Sequence, residues 1–430
     1  MGAAASVATA VTRSIGARFL FDEMPMDDED TGAAPATVGD EGINALPDRI
    51  LAHILGFLPA EEAVRTCVLA RRWRHLWKSA TGLRVLVADG EFLGTVDKVE
   101  KFVDCLVSSR KRKRASLDSC DLSVGCDILE HGLEDLSLVS RHLTTLELYN
   151  VELCNRFLNF SGCPALENLV FERCDFWKTA KTISFKSLKH LNITGCNFSM
   201  SSRTRILAPN MVSLRLESFD GMAPMLDSMQ SLVDAYVKID WLCFDECELR
   251  PADCDSCEGN DYQENCYCDT CRNKCVLLKG LSEAVNLTMI SDSTKCIFKR
   301  DLRLCPTFNK LKTLLLNDYW CVPDDFWALA CILEHSPFLE KLTLQLFSKY
   351  RQEKVQFEGS VDPTLRYVVS EHLTVQVMCT VVDERILKLL KFLVVTFSHV
   401  LNRRPSGLWI LGANVVTGII RQNIREMEKY

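Results

Sequence analysis

The sequence predicts an α/β chain in which a three-helix N-terminal unit precedes a solenoid with a curved parallel sheet. Two observations predict it. Residues 41–86 carry three short apolar stripes at helical spacing. From Leu143 to Met211, one pattern of apolar residues recurs every 22 or 23 residues, and it continues beyond with longer spacing; a period of roughly 20–50 residues marks stacked repeats. The 430 residues, 47% hydrophobic and 25% charged, are enough for two or three ordinary globular domains.

Residues 1–40 read as a disordered segment, because Ala, Thr, Gly and the acidic run Asp27-Asp28-Glu29-Asp30 cannot build a core. Met1-Gly2 followed by Ser6 matches the N-myristoylation pattern. One acyl chain without a basic patch holds a membrane only marginally, so no membrane partner is expected. Neither a charged n-region nor a long apolar h-region precedes the 21 cysteines. The thiols are therefore expected reduced, in nucleus or cytoplasm.

In residues 41–86, Ile50, Leu51, Ile54, Leu55 and Leu58 form the first stripe, opened by Pro47 and Asp48. Ala63, Val64, Cys67 and Val68 form a second after Pro59. Leu69, Trp73, Leu76 and Trp77 form a third, with Arg71, Arg72 and Arg74 opposite. A unit of about 45 residues without metal or disulfide cannot bury this much apolar surface alone. Its cover is either the rest of the chain or a second protein.

Leu46-Pro47-Asp48, Ile50-Leu51, Ile54-Leu55, Ala63-Val64-Arg65-Thr66 and Leu69-Ala70-Arg71-Arg72-Trp73-Arg74-x-Leu76-Trp77 together resemble the F-box. The resemblance implies docking onto a Skp-type adaptor, and through it onto a cullin, with no catalytic residues in this chain. The docking residues it implies are Leu46, Pro47, Ile50, Leu51, Ile54, Leu55, Val64, Val68, Trp73, Leu76 and Trp77.

Residues 87–116 read as a connector. A helix is expected over Val96–Ser109, running into the basic run Arg110-Lys111-Arg112-Lys113-Arg114. That run reads either as a solvated loop or as an import or phosphate patch. The net charge of −7 argues against a nucleic-acid partner.

The repeats occupy 117–350. Leu143-x-x-Leu146-x-Leu148, Leu166-x-x-Leu169-x-Phe171, Leu188-x-x-Leu191-x-Ile193 and Met211-x-x-Leu214-x-Leu216 are the clearest copies. Weaker or more widely spaced copies begin at Leu117, Leu232, Ala284, Leu311 and Leu339. This is the leucine-rich-repeat pattern: one strand per copy, with neighbours stacking to bury the apolar face. Cys174 and Cys196 share a repeat position with Val151 and are expected as small core residues. The exposed strand face is expected to display Glu147, Val170, Asn192, Arg215, Thr288, Leu315 and Thr343. This set is mixed in character and suits an unidentified target protein better than a phosphate backbone.

The register breaks over 242–275, an insert rich in cysteine and acidic residues. Cys254-x-x-Cys257 and Cys268-x-x-Cys271 have the spacing that holds tetrahedral zinc, which would be structural if bound. The insert's polarity and its position in a repeat turn suit a metal-free loop better, and disulfides fit a reducing compartment poorly, so no cofactor is assigned, with structural zinc the alternative.

Ser370-Glu371-His372-Leu373 and Val382-Asp383-Glu384-Arg385-Ile386-Leu387-Lys388-Leu389-Leu390-Lys391-Phe392-Leu393 are similar to the FBD region of plant F-box and leucine-rich-repeat proteins. This region is placed at 351–397, with Ile386, Leu389, Leu390 and Leu393 as its inward face. Residues 398–430, including Leu408-Trp409-Ile410-Leu411-Gly412, form a tail that departs from that family. No phosphate-binding glycine loop or G-x-S-x-G elbow occurs. The chain reads as a non-enzymatic substrate receptor of an SCF ubiquitin ligase. The alternatives are a repeat scaffold without a ligase role and a zinc-dependent regulatory factor acting through the insert.

Overall fold

The computed structural model describes residues 42–86, 117–123, 140–154, 158–178, 182–200, 202–227, 229–244, 275–291, 297–321, 326–347, 370, 372–396 and 408–412. The expected N-terminal disorder, the connector helix, the basic run at 110–114 and the four zinc-spaced cysteines lie outside these residues. The chain divides into two compact units, Met1–Ser199 and Met200–Tyr430.

The first unit begins with a 3-10 turn at Gly42–Ala45, helix α1 at Asp48–Leu55 and helix α2 at Ala60–Arg65. Prolines 47 and 59 stand at the two N-caps, and Asp48, Glu61 and Glu62 occupy first turns, where a carboxylate meets the helix's positive end. A short 3-10 turn, Thr66–Val68, extends α2, and a nine-residue 3-10 helix spans Arg71–Ser79. Leu51, Leu55, Ala63, Trp73, Leu76 and Ala80 form the core, with Leu46, Leu58, Ala70 and Trp77 packed against it.

One residue of the third predicted stripe is corrected here. A 3-10 helix has three residues per turn, so positions three apart align, and Trp73 and Leu76 turn inward with Trp77 packed against the core. Leu69 lies before this helix, ahead of Ala70 in extended backbone, and is exposed. Hydrogen bonds from Trp73 to Ala70 and from Ala80 to Trp77 close the three-residue turns at either end.

The helical unit runs directly into a strand, β1 (Gly82–Leu86), which the sequence pattern did not reveal. A side chain on Gly56 would put its Cβ 2.7 Å from the Gly82 backbone nitrogen. This close approach requires glycine and seats the end of α1 on the strand. Arg84 reinforces the seat, donating to the Phe57 carbonyl at 3.0 Å and to Asp121 at 2.9 Å.

Strands β2 (Ser119–Ser123), β3 (Thr145–Tyr149), β4 (Glu152–Cys154), β5 (Asn168–Glu172), β6 (Asp175–Lys178), β7 (Thr182–Ser184) and β8 (His190–Thr194) follow. β1, β2, β3, β5 and β8 pair in that order, all parallel and without a register slip. Alternate residues Leu146 and Leu148, Leu169 and Phe171, and Leu191 and Ile193 are buried, as the period-two face of a strand requires. β4 and β6 form a second, smaller parallel ladder. Cys174 and Cys196 are fully buried, and the Cys174 amide donates to the Cys196 sulfur at 3.3 Å. Burial, followed by the neighbouring Cys174 thiol, drives the Cys196 thiol far above its ordinary pKa, so it stays protonated. Phe176 stacks on Phe198 and meets Phe171 edge-on, forming an aromatic spine inside the repeats.

Just past β3, β5 and β8 the chain enters left-handed backbone, at Asn150, Arg173 and Gly195, and in the second unit at Ser218. These positions are spaced 23, 22 and 23 residues apart, matching the apolar period. The amides of Asn150, Arg173 and Ser218 continue the ladder by donating to Glu172, Thr194 and Lys238.

The second unit contains strands β9 (Arg205–Leu207), β10 (Ser213–Glu217), β11 (Gly221–Met222), β12 (Met225–Leu226), β13 (Asp234–Ile239) and β14 (Cys243–Phe244). Beyond the insert come β15 (Asn286–Ser291), β16 (Thr313–Asn317), β17 (Lys341–Leu346), β18 (Thr374–Cys379) and β19 (Leu408–Gly412). β10, β13, β15, β16, β17, β18 and β19 form one parallel series. Helices α3 (Leu278–Leu281), α4 (Ile297–Leu302), α5 (Trp327–Glu334) and α6 (Glu384–Thr396) are interspersed.

Asp301 of α4 is fully buried and accepts the amides of Val276, Leu277 and Leu278 at 2.6–2.9 Å. It thereby caps the start of α3, where the chain returns from the insert. The expected inward face of α6 is present: Ile386, Leu389, Leu390 and Leu393 are buried. The segment 408–412, read from sequence as a divergent tail, pairs with β18 as a further strand. Among the described residues, no helix is long and apolar enough to cross a membrane.

Candidate functional site

The helical unit at 42–79 satisfies its own core and still leaves large apolar side chains in water. Val68 is 83% exposed, Leu69 68%, Phe57 63%, Ile43 50% and Ile50 45%. Arg72 organises this surface. Its guanidinium donates to Asp48 at 2.6 Å and reaches the Leu46 carbonyl, holding the first turn of α1 beside the start of the 3-10 helix. Pro47 and Ile50 on one side, and Val68 and Leu69 on the other, lie within four residues of this pair along the chain. Arg65 pairs with Glu61 across one turn of α2, and the Thr66 hydroxyl donates to the Ala63 carbonyl at 2.7 Å. His53 is hydrogen-bonded to Thr81 at 3.2 Å and meets the Phe57 ring edge-on.

The eleven expected docking residues separate into two groups. Leu51, Leu55, Trp73 and Leu76 are buried in the unit's own core. They shape the surface from beneath and offer nothing for a partner to touch, because helices this short must use those side chains to hold together. Pro47, Ile50 and Val68 are exposed, and Leu46, Ile54, Val64 and Trp77 are half-buried. Leu69, in the link ahead of the 3-10 helix, and Phe57, beyond the end of α1, are exposed but were not among the expected docking residues.

On the strand faces, register aligns Asp121, Glu147, Val170 and Asn192 in the first unit. In the second unit it aligns Arg215, Tyr236, Thr288, Leu315, Thr343, Gln376 and Trp409. Glu147 accepts the Tyr149 hydroxyl at 2.9 Å, and Asn192 accepts the Thr194 hydroxyl at 2.8 Å. The buried carboxyl of Asp121 lies above the ordinary aspartate range. Desolvation outweighs its ion pair with Arg84, and nearby Glu147 adds to the rise. Arg215 lies 4.0 Å over the Tyr236 ring and pairs with Glu217, which Lys238 also reaches at 3.2 Å. Burial alone would raise Glu217, but Lys238 and Arg215 together hold it below the usual value. Thr343 is corrected: it is buried, so it does not belong to an exposed recognition face. Thr288 is half-buried and Arg215 exposed.

This helical unit buries its own core and leaves several large apolar side chains exposed. Residues 43–82 match the F-box domain. This chain carries an F-box. Its relatives are plant proteins named for an F-box, several of them also for leucine-rich repeats. The chain is 30% identical over 194 residues to a putative F-box/LRR-repeat protein of Arabidopsis thaliana, covering 42% of this chain but only 38% of that relative. It is 27% identical over 355 residues to the MEIOTIC F-BOX protein MOF of Oryza sativa subsp. japonica, covering 70% of each. It is 24% identical over 388 residues to an F-box/FBD/LRR-repeat protein of Arabidopsis thaliana, covering 76% of this chain and 82% of the relative. No solved structure matches the chain.

Proposed function

We propose that this chain is the substrate-recognition subunit of an SCF-type ubiquitin ligase. The F-box docks a Skp-type adaptor and through it a cullin. The parallel strands wind as a leucine-rich-repeat solenoid whose exposed face takes a target protein. The observation that carries this reading is the set Pro47, Ile50, Phe57, Val68 and Leu69, left in water beside a core that needs none of them. Large apolar side chains grouped on one small unit mark a protein-binding surface. The F-box match and the relatives' names support the same role.

The mechanism is proximity. A target held on the repeats stands at high effective concentration beside the ubiquitin carrier on the cullin, and this chain makes and breaks no bonds. Polar positions such as Glu147, Asn192 and Arg215 select the target by charge and hydrogen bonding, and nucleus and cytoplasm are both compatible sites of action. The test is co-purification of the full chain with a purified Skp-type adaptor, followed by transfer of ubiquitin to a captured partner in a reconstituted ligase. Stable association and transfer are expected. Association without transfer would leave a scaffold, and no association would remove the receptor role.

A further inference from the structure

Outside the F-box and the strand faces, one cluster in the second unit has ligand chemistry that no part of the proposed function uses. Cys331 lies on α5, and His335 follows one helical turn later. Cys305 comes from the loop after α4, 26 residues earlier in sequence. The two sulfurs and a ring nitrogen of His335 all lie within 4.8 Å of one another. All three residues are half-buried, so the site is partly desolvated yet open to an entering ion.

The histidine is already oriented. Its Nδ1 lies 2.8 Å from the Cys331 carbonyl oxygen. A carbonyl only accepts, so Nδ1 carries the proton and the Nε2 lone pair is free to bind. Metal-bound histidines are typically fixed this way, by a second hydrogen bond from the ring. The thiols make only long contacts with protein: Cys305 donates to the Pro306 carbonyl at 3.7 Å and Cys331 to the Leu302 carbonyl at 3.6 Å.

We infer that Cys305, Cys331 and His335 form a zinc site, with Zn2+ bound by two thiolates and the His335 imidazole. Two sulfurs and a nitrogen are soft to borderline donors that favour zinc over magnesium or calcium. With Zn–S near 2.3 Å, tetrahedral binding sets the sulfurs about 3.8 Å apart, so the observed cluster needs to close by about 1 Å at most. Water completes the shell. Cys275 is left out, because its sulfur does not fall within this cluster. The ion ties the loop after α4 to the end of α5. It would act beside Asp301, which holds the chain where it re-enters from the insert.

The experiment uses the full chain with any polyhistidine tag removed, kept reduced. It carries Cys254→Ser, Cys257→Ser, Cys268→Ser and Cys271→Ser, so that the insert's own spacing cannot supply ligands. Zinc content is measured by mass spectrometry of the metal, and Co2+ substitution is followed by its thiolate charge-transfer and tetrahedral ligand-field absorption. One equivalent of zinc and a two-sulfur cobalt spectrum are expected. Cys331→Ser and His335→Gln should each weaken binding at least tenfold, and Cys275→Ser should leave it unchanged. Far-UV circular dichroism checks that each variant is folded, and Cys305→Ser gives a second route should Cys331→Ser fail to fold. Zinc absent from the parent, retained in folded Cys331→Ser and His335→Gln, or replaced by a Cys305–Cys331 disulfide in the reduced preparation would overturn the site.

Discussion

Replacing Val68 with Asp separates docking from folding. Val68 is 83% exposed and holds nothing in its own unit, so stability should change by no more than about 0.5 kcal/mol. In the proposed adaptor complex the same position is covered. Burying a valine side chain contributes roughly 1.5 kcal/mol, and an unpaired carboxylate in that contact costs about 3–5 kcal/mol more. Even half of this sum exceeds about 2 kcal/mol, a loss of more than about twenty-fivefold at 1.4 kcal/mol per factor of ten. Isothermal titration of a purified Skp-type adaptor into the full chain measures it directly, with Leu51→Ala as contrast. Leu51 is fully buried, and its truncation should cost about 2–5 kcal/mol of folding stability. Adaptor affinity within threefold of the parent in Val68→Asp would refute the argument that this exposed face is a docking face.

Three further outcomes are expected. Asp301→Ala orphans three buried amides, at about 1–3 kcal/mol each before relaxation, and should lower the urea midpoint by an amount equivalent to about 3–5 kcal/mol. Arg173→Gly and Ser218→Gly relieve left-handed strain at non-glycine residues, so each should raise stability by about 0.5–1 kcal/mol in the same assay. Asp121 has a raised folded pKa, so its carboxylate opposes folding at neutral pH, and that opposition fades as pH falls through the raised value. The stability advantage of Asp121→Asn over the parent should therefore be largest near pH 7 and narrow on acidification, measured by urea unfolding at a series of pH values.

The strand cores were legible because each repeat buries the same apolar positions. That periodicity put Leu146, Leu169, Leu191 and Leu214 inside, along with Cys174 and Cys196. The face of α6 was legible for the same reason at helical spacing. What sequence reasoning missed was winding and partnership. A stripe read as one continuous helix placed Leu69 inward, whereas the chain is extended at Ala70 and leaves Leu69 exposed. β1 and β19 have no repeat signature, because edge strands are recruited by the ladder beside them. Thr343 carries a polar label but is covered in the fold. The grouping of Cys305 with Cys331 and His335 depends on a fold that closes a 26-residue separation, which spacing alone does not disclose.

The most direct measurement is amide hydrogen exchange on the full chain, with and without saturating adaptor. Slowed exchange in the peptides covering 46–58 and 66–72, with the repeat strands unchanged, is the result expected here. Protection confined to the strands of either unit, or none at all, would contradict it.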